Sequence, residues 1–247
     1  MWSCAHYSSI VNHFIWLKMT AFKLKAIVVF SGGIDSVCTA AYLQKRYDIY
    51  GITFSYGQKA NQELNVARHF SKILRFREHK VIDIKFMKTL YEKTNALTYS
   101  KMHIPSKFDY SIVVPIRNAV FLSIATAWAF SKNANLVAYG AHVDDQRYPD
   151  CRPKFSKLLT KALNEGEIDG IRKGLRKKIK IWSPFVGNLS KGNLLKIGYN
   201  LLGDEIFKTW SCYSQSKIHC GKCESCNNRK MAFDQANIID KTRYKCG

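Results

Sequence analysis

The chain has 247 residues, 47% of them apolar, which excludes global disorder and suits one α/β domain or one domain with a small appendage. Its 39 basic and 18 acidic residues give a formal charge of +21, spread along the chain. That balance favours anionic partners but leaves direct tRNA binding open.

Residues 1–24 read as an N-terminal extension, with Met19 as an alternative start. Their longest apolar stretch, Phe14-Ile15-Trp16-Leu17, falls far short of the roughly twenty residues of a membrane span. They carry neither a charged leader nor a small-residue cleavage site. No transmembrane helix is read in the chain, and the expected location is the cytoplasm.

The apolar run Ala26-Ile27-Val28-Val29 feeds directly into Phe30-Ser31-Gly32-Gly33-Ile34-Asp35-Ser36-Val37. Strand, tight glycine loop and helix N-terminus follow one another. Such a junction is an anion site, because unpaired N–H groups and the helix dipole face the loop. The glycines let the backbone curl round a phosphate with no Cβ in the way. It is not the Walker form, since no Gly-Lys-Ser/Thr follows. It resembles the SGGxDS loop of the ATP pyrophosphatases, which split ATP into AMP and pyrophosphate.

A helix then runs to residue 46, and a second strand covers 49–54. The polar turn Ser55-Tyr56-Gly57-Gln58 precedes an amphipathic helix over 61–74, with Leu64, Ala67, Phe70, Ile73 and Leu74 on one face. A third strand covers 78–83. This alternation predicts a parallel sheet with helices on both faces and ligands at the carboxyl ends of its strands. Residues 84–112 are basic and irregular and read as a surface excursion or lid. Order returns at 113–118, which leads into a long apolar helix ending near residue 132.

The fourth strand, 136–139, ends in Gly140-Ala141-His142-Val143-Asp144-Asp145, in the ligand-facing position. Tyr148-Pro149-Asp150-Cys151-Arg152 precedes a helix over 155–163. Residues 165–180 are strongly charged, 179–182 form a fifth strand, and 189–202 are helical with Gly203 as terminator. A short helix starts near Glu224. With no repeat or low-complexity linker, the chain divides into an ATP-binding α/β domain over 25–205 and a cysteine segment over 206–247 packed on it.

Cys220-x2-Cys223-x2-Cys226, preceded by Cys212, supplies four thiolates within fifteen residues, whereas a disulfide scaffold would spread its cysteines evenly. Two-residue separations let sulfurs converge on one ion, and four soft ligands favour tetrahedral zinc in a closed, structural site. An iron–sulfur cluster uses similar spacing and stays open. His219 is a weaker ligand candidate because it adjoins Cys220.

Five stretches in order carry a wider resemblance: SGGIDS at 31–36, SYGQ at 55–58, VPIRN at 114–118, YPDCR at 148–152, and TWSCY at 209–213 followed by CGKCESC. The chain resembles the 7-cyano-7-deazaguanine synthase (QueC) family, over about residues 25–230. The resemblance implies an adenine nucleotide alpha hydrolase-like fold, ATP with Mg²⁺, structural Zn²⁺, and ammonia with 7-carboxy-7-deazaguanine as substrates. The carboxylate would be adenylated, converted to an amide, adenylated again and dehydrated to a nitrile. Phe30 to Val37 would hold ATP, with Asp35, Ser36, Arg117 and Lys191 as catalytic candidates. Tyr56, Gln58, Arg117, Asn118, Asp144, Asp145, Tyr148, Asp150 and Arg152 would surround the substrate. The implied assembly is a homodimer.

Residue chemistry agrees with these roles but leaves alternatives. Arg117 suits bidentate oxygen contacts or a surface ion pair. Each aspartate can read a guanine-like edge or cap a loop, and Lys191 can reach a phosphate or stay solvated. Three features depart from the family pattern. Ile116 stands where the family usually has Gly, so a different loop course is expected before Arg117. The 140–148 segment is one residue shorter, which leaves Asp144 and Asp145 as alternatives for one acidic role. No glutaminase signature is present, so ammonia arrives free or from a partner. The main rival is a tRNA thiolase of the same superfamily, for which Cys38 is the candidate persulfide carrier. A non-catalytic RNA-binding module is the bland alternative, and the intact SGGIDS loop argues against it.

Overall fold

The computed structural model describes residues 23–245, so Met19 and nearly all of the extension read over 1–24 lie outside the described residues. Strand β1 (Leu24–Val29) pairs with β2 (Tyr47–Ser55) on one side and β4 (Leu136–Ala138) on the other. Strand β3 (Glu78–Asp83) extends the sheet beyond β2, and β5 (Lys180–Trp182) extends it beyond β4. All four pairings are parallel and the order is β3-β2-β1-β4-β5. Ala26, Ile27 and Val28 are completely buried, as a central parallel strand covered on both faces requires. The chain first grows outward from β1 to β3 and then returns to the other side of β1. This switch opens a crevice at the carboxyl ends of β1 and β4, where such sheets bind ligands.

One face of the sheet is covered by α1 (Ile34–Leu43), α2 (Gln62–Ile73), α7 (Lys191–Leu202) and α8 (Glu224–Gln235), around Val28, Phe30, Phe70, Leu194 and Phe233. The other is covered by α3 (Phe86–Tyr91), α4 (Arg117–Lys132) and α5 (Pro153–Glu165), around Ile27, Ile52, Met87 and Leu122. A short α6 (Ile168–Arg172) occupies the charged stretch. Helices α1 and α7 pack so closely that a Cβ on Gly198 would collide with Cys38 Sγ.

The stretch Tyr110–Lys132 is long and apolar enough by length and composition to cross a membrane, with mean hydropathy 1.5. Its continuous α-helix, α4, has only 16 residues, about 24 Å against a bilayer core of about 30 Å. Phe121, Leu122, Ala125, Trp128 and Ala129 of α4 are buried, most of them against the sheet. It is a core helix.

Two expectations need correction. Residues 84–112 are not a lid. Met87, Ala96, Leu97 and Ile112 are buried in the core, and the segment is fastened by Lys59 N–H to the Leu97 carbonyl (2.9 Å) and Ala96 N–H to the Ser111 carbonyl (2.7 Å). Its apolar residues are spaced too irregularly to give a periodic signal. The loop before Arg117 also keeps the course a glycine would take: Ile116 has φ 47° and ψ 22°, in the left-handed region.

A β-branched residue there costs about 1–3 kcal/mol, and Ile116 is 68% exposed, so little burial offsets it. Replacement by glycine gives back about 0.5–1 kcal/mol in chain entropy. Ile116→Gly is expected to raise stability by about 1 kcal/mol, read as a higher urea midpoint with an unchanged slope.

Candidate active site and metal centre

The turn after β1 is built by mutual hydroxyl and amide contacts. Ser36 Oγ accepts from Ser31 N–H (3.2 Å) and donates to the Gly33 carbonyl (3.1 Å), while Gly33 N–H donates to Ser31 Oγ (3.3 Å). Gly32 has φ 79°, and a Cβ there would lie 2.6 Å from the Ala67 nitrogen of α2. Its carbonyl accepts from Trp210 N–H at 3.1 Å. Only glycine permits both the turn and the contact with α2. Gly140, beyond β4, makes a similar approach, since its Cβ would lie 2.9 Å from the Ser36 nitrogen.

A charged cluster sits at the start of α1. Lys191 Nζ lies 2.8 Å from Asp35 Oδ2, linking the first turns of α7 and α1. His142, almost fully buried, places Nε2 3.6 Å from Asp35 and 3.4 Å from Asp145, and Nδ1 3.5 Å from Asp144. Burial pushes the Asp35 carboxyl up, but Lys191 and His142 outweigh it and hold it below the ordinary range. Burial likewise works against the Lys191 charge, and Asp35 with Asp145 reverses it, so the ammonium is held on more firmly. Asp145 is raised, mainly by burial.

One continuous cleft runs from this cluster across the sheet edge. Its lining includes Ser31, Asp35, Ser36, Tyr56, Glu63, Arg117, Asn118, Asp145, Tyr148, Asp150, Trp210 and Tyr213. Arg117 is half-buried, donates to Tyr56 Oη (3.3 Å) and lies over the Tyr56 and Phe121 rings at 5.8 and 5.9 Å. Among the described residues no carboxylate pairs with it. Burial opposes its charge, but Tyr56, Tyr213 and Asp150 outweigh that. Glu63, on the first turn of α2, is pushed up to about 7 by burial, against the pull of Arg117.

The aspartates also cap helices and loops. Asp144 accepts from Lys191 N–H (2.7 Å) at the start of α7, and Asp150 from Asn118 N–H (3.1 Å) at the start of α4. Asp145 accepts from His142 N–H (3.0 Å). Asp145 and Asp150 line the cleft, whereas Asp144 does not. Three other candidates stand apart. The Phe30 ring is in the core, 4.8 Å from Phe76. Gln58 closes its own turn, accepting from Tyr56 N–H (2.9 Å) and donating to the Phe54 carbonyl (3.2 Å). Arg152 is exposed and donates to the Gln146 carbonyl (2.9 Å). Val37 is core, while Ile34 reaches both core and cleft.

The sulfurs of Cys212, Cys220, Cys223 and Cys226 all lie within 4.8 Å of one another. Zn–S bonds of about 2.3 Å need sulfurs close to 3.8 Å apart, and Cys220 and Cys226 are 3.9 Å apart. Cys212 Sγ accepts from Cys220 N–H (3.3 Å) and Ser214 N–H (3.4 Å), as a metal-bound thiolate does. This group can hold a metal ion. His219 is engaged elsewhere, with Nε2 accepting from Ser211 N–H (3.1 Å) and its ring 4.4 Å from Trp210. The remaining described thiols, Cys38 and Cys151, are buried, and burial raises both well above their ordinary range.

Four residues at or behind the cleft were not singled out in the sequence. His142 lies inside the ligand-facing loop but carries no motif of its own. Glu63 sits off the apolar face of α2, where a solvated carboxylate is the ordinary expectation. Tyr213 lies within TWSCY and is masked by its cysteine neighbour. Arg229 is completely buried and donates to the Thr209 and Phe207 carbonyls (3.1 and 3.3 Å) and to Ser211 Oγ (3.1 Å), fixing the strand-like stretch that carries Trp210.

The Asp35–Lys191 pair gives a definite pH signature. Asp35 is held below its ordinary 3.8 in the fold, so its contribution is present above that value and lost as pH falls through the lower folded value. Asp35→Asn, which leaves Lys191 without its partner, is expected to cost about 1–3 kcal/mol at pH 7. The difference from the parent chain should shrink below about pH 4, by denaturant titration at several pH values.

Residues 25–237 match the family described as Queuosine biosynthesis protein QueC. A 7-cyano-7-deazaguanine synthase from Caldicellulosiruptor saccharolyticus is 38% identical over 232 residues, covering 90% of this chain and 96% of that protein. One from Sulfurihydrogenibium sp. is 37% identical over 218 residues, covering 85% and 95%. Among solved structures, an NH3-dependent NAD synthetase from Campylobacter jejuni has 13% identity and a TM-score of 0.37, covering 76% of this chain and 88% of that one. On the match over residues 25–237 and the two synthases at 37 and 38% identity, the chain belongs to the QueC family.

Proposed function

We propose that the chain is an ATP-dependent ligase that converts 7-carboxy-7-deazaguanine and ammonia to 7-cyano-7-deazaguanine, a precursor for modified tRNA bases. One observation carries this reading: a single cleft joins the helix N-terminus at Ser31–Ser36 to Arg117, a half-buried cation with no carboxylate partner among the described residues. A buried cation without a counter-ion is costly. An anion bound between the two ends relieves that cost.

A carboxylate is a poor electrophile, and transfer of AMP to its oxygen creates a leaving group. The N–H groups of Gly33 and the first turn of α1, with Ser31, Ser36 and Lys191, face the departing pyrophosphate as its charge grows. Asp35 positions Lys191 and, through its remaining oxygen, can share the Mg²⁺ that accompanies ATP. Arg117 holds the acceptor carboxylate in place. Asp145 and Asp150, rather than Asp144, are placed to accept from the ring N–H and amine of a deazaguanine, with Tyr56 and Tyr148 as flanking aromatic walls.

Ammonia displaces AMP to give the amide. A second adenylation on the amide oxygen lets that oxygen leave with AMP as both N–H protons are lost, which forms the nitrile. The four-cysteine group suits structural Zn²⁺, with all four tetrahedral positions filled by protein. We place the enzyme in the cytoplasm, as a homodimer. The thiolase alternative requires a reactive thiol beside the loop, and Cys38 is buried under Gly198.

Incubation with ATP, Mg²⁺, ammonium and 7-carboxy-7-deazaguanine should yield the nitrile by mass, with AMP formed. No product from metal-loaded, folded chain would overturn the assignment. Asp35→Asn should lower AMP formation by at least about 100-fold. Elemental analysis should find one zinc per chain and no iron. Cys223→Ser should lose the metal and much of the roughly 10 kcal/mol that such a site contributes, read as a lower melting temperature. A variant that kept metal and stability while losing only activity would contradict a structural role.

A further inference from the structure

We propose that Glu63 is the ammonium site of this enzyme: its carboxylate binds the incoming ammonium ion and takes the proton that frees ammonia for attack. This rests on the reading of the cleft as a site that forms an acyl-adenylate. The groups assigned so far serve ATP and the acceptor, with Asp35 paired to Lys191, and none of them is assigned to the nitrogen source. Ammonium has no lone pair, so a base inside the cleft that takes its proton frees the nucleophile where it is used.

Glu63 lies on the first turn of α2, one helical turn before Ala67, whose backbone abuts Gly32 of the phosphate loop. It lines the same cleft as that loop and Arg117. Its one protein hydrogen bond among the described residues is a long one, from Gln58 Nε2 at 3.5 Å. Gln58 is already committed to the Tyr56–Phe54 turn, so it fixes the Glu63 position without neutralising it. No lysine or arginine among the described residues is within ion-pair distance of it. Trp210 packs with Ala60 and Val66, on either side of Glu63 along the chain, and Trp210 also lines the cleft.

The groups facing Glu63 are Tyr56, after β2, and Arg117, on α4, besides the neutral Gln58. Burial raises the carboxyl to about 7 against the attraction of Arg117, which matches a base that must take up and release a proton near neutrality. The step balances as follows. Glu63 takes one proton from ammonium, the freed lone pair forms the C–N bond, and the C–O bond to AMP breaks. The second nitrogen proton leaves with the AMP phosphate, and Glu63 returns its own proton to water at the cleft mouth.

The test uses the full metal-loaded chain and Glu63→Gln. Adenylation is read as pyrophosphate exchange into ATP that depends on 7-carboxy-7-deazaguanine. Amide formation is read against ammonium concentration from pH 5.5 to 9. Hydroxylamine, uncharged at neutral pH, replaces ammonium as a nucleophile that needs no deprotonation.

The variant is expected to keep exchange within about twofold, lose about 100-fold in kcat/KM for ammonium, and retain most of its hydroxylamine rate. The acidic limb near pH 7 in the parent chain should disappear. A neutral amide replaces a carboxylate that burial disfavours, so the melting temperature should hold or rise. If the glutamine variant fails to fold, Glu63→Asp, with the base drawn back by one methylene, should show a smaller loss confined to ammonium. Unchanged ammonium kinetics, or equal losses with hydroxylamine and in exchange, would overturn the proposal. Absence of exchange in the parent chain would instead overturn the reading of the cleft.

Discussion

The ion pair between Asp35 and Lys191, 2.8 Å long, is the contact on which the site depends. It joins positions 156 residues apart, and it exists because α1 and α7 are pressed together where Gly198 meets Cys38. That packing brings two helix N-termini and a lysine to one place, three sources of positive potential. Asp35 makes the arrangement tolerable without ligand, and its lowered proton affinity measures the demand. His142 and Asp145 extend the same balance to the loop after β4. The β1–α1 and β4–α5 connections are thereby held in fixed register on either side of the crevice.

A second tie comes from the far end of the chain. Trp210 donates its backbone N–H to Gly32 and its indole N–H to the Cys212 carbonyl (2.8 Å), so the phosphate loop is two residues from the sulfur cluster. Arg229 on α8 holds the same stretch from behind with its buried guanidinium. Loss of the sulfur cluster would therefore loosen the wall of the cleft, although none of its four cysteines lines it. The cysteine segment is part of the catalytic domain's architecture in this respect, whatever its independence in the sequence.

The elements most legible in the sequence are those whose signal is local. The 26–29 strand, the glycine loop, the amphipathic face of α2 and the cysteine spacing each announce themselves within a dozen residues. What stayed hidden depends on partners distant in sequence. Asp144, Asp145 and Asp150 look equivalent in the chain, and only the positions of α7 and α4 decide that Asp144 caps Lys191 and Asp150 caps Asn118, while Asp145 closes its own loop on His142. Glu63 looks like a solvated residue until the fold sets it in the cleft lining with Arg117. Residues 84–112 look like a lid because their buried residues, Ile84, Met87, the 95–98 run and Ile112, follow no repeating period. Ile116 was legible as a departure, but its backbone angle was not, since a β-branched residue argues against the left-handed region that the turn imposes.

The charge distribution in the cleft refines what the net +21 means. A uniformly basic groove would suit a polyanion of any length. Here Arg117 lines the cleft together with carboxylates at Asp35, Asp145, Asp150 and Glu63, and Lys191 is paired with Asp35. An RNA backbone laid along this surface would meet those carboxylates and be repelled. A small ligand that sets its anionic groups against the cations and its hydrogen-bond donors against the carboxylates matches this alternation. The alternation of sign within the cleft therefore selects against long polyanions at the site itself, and the basic excess elsewhere on the chain acts, if at all, outside it.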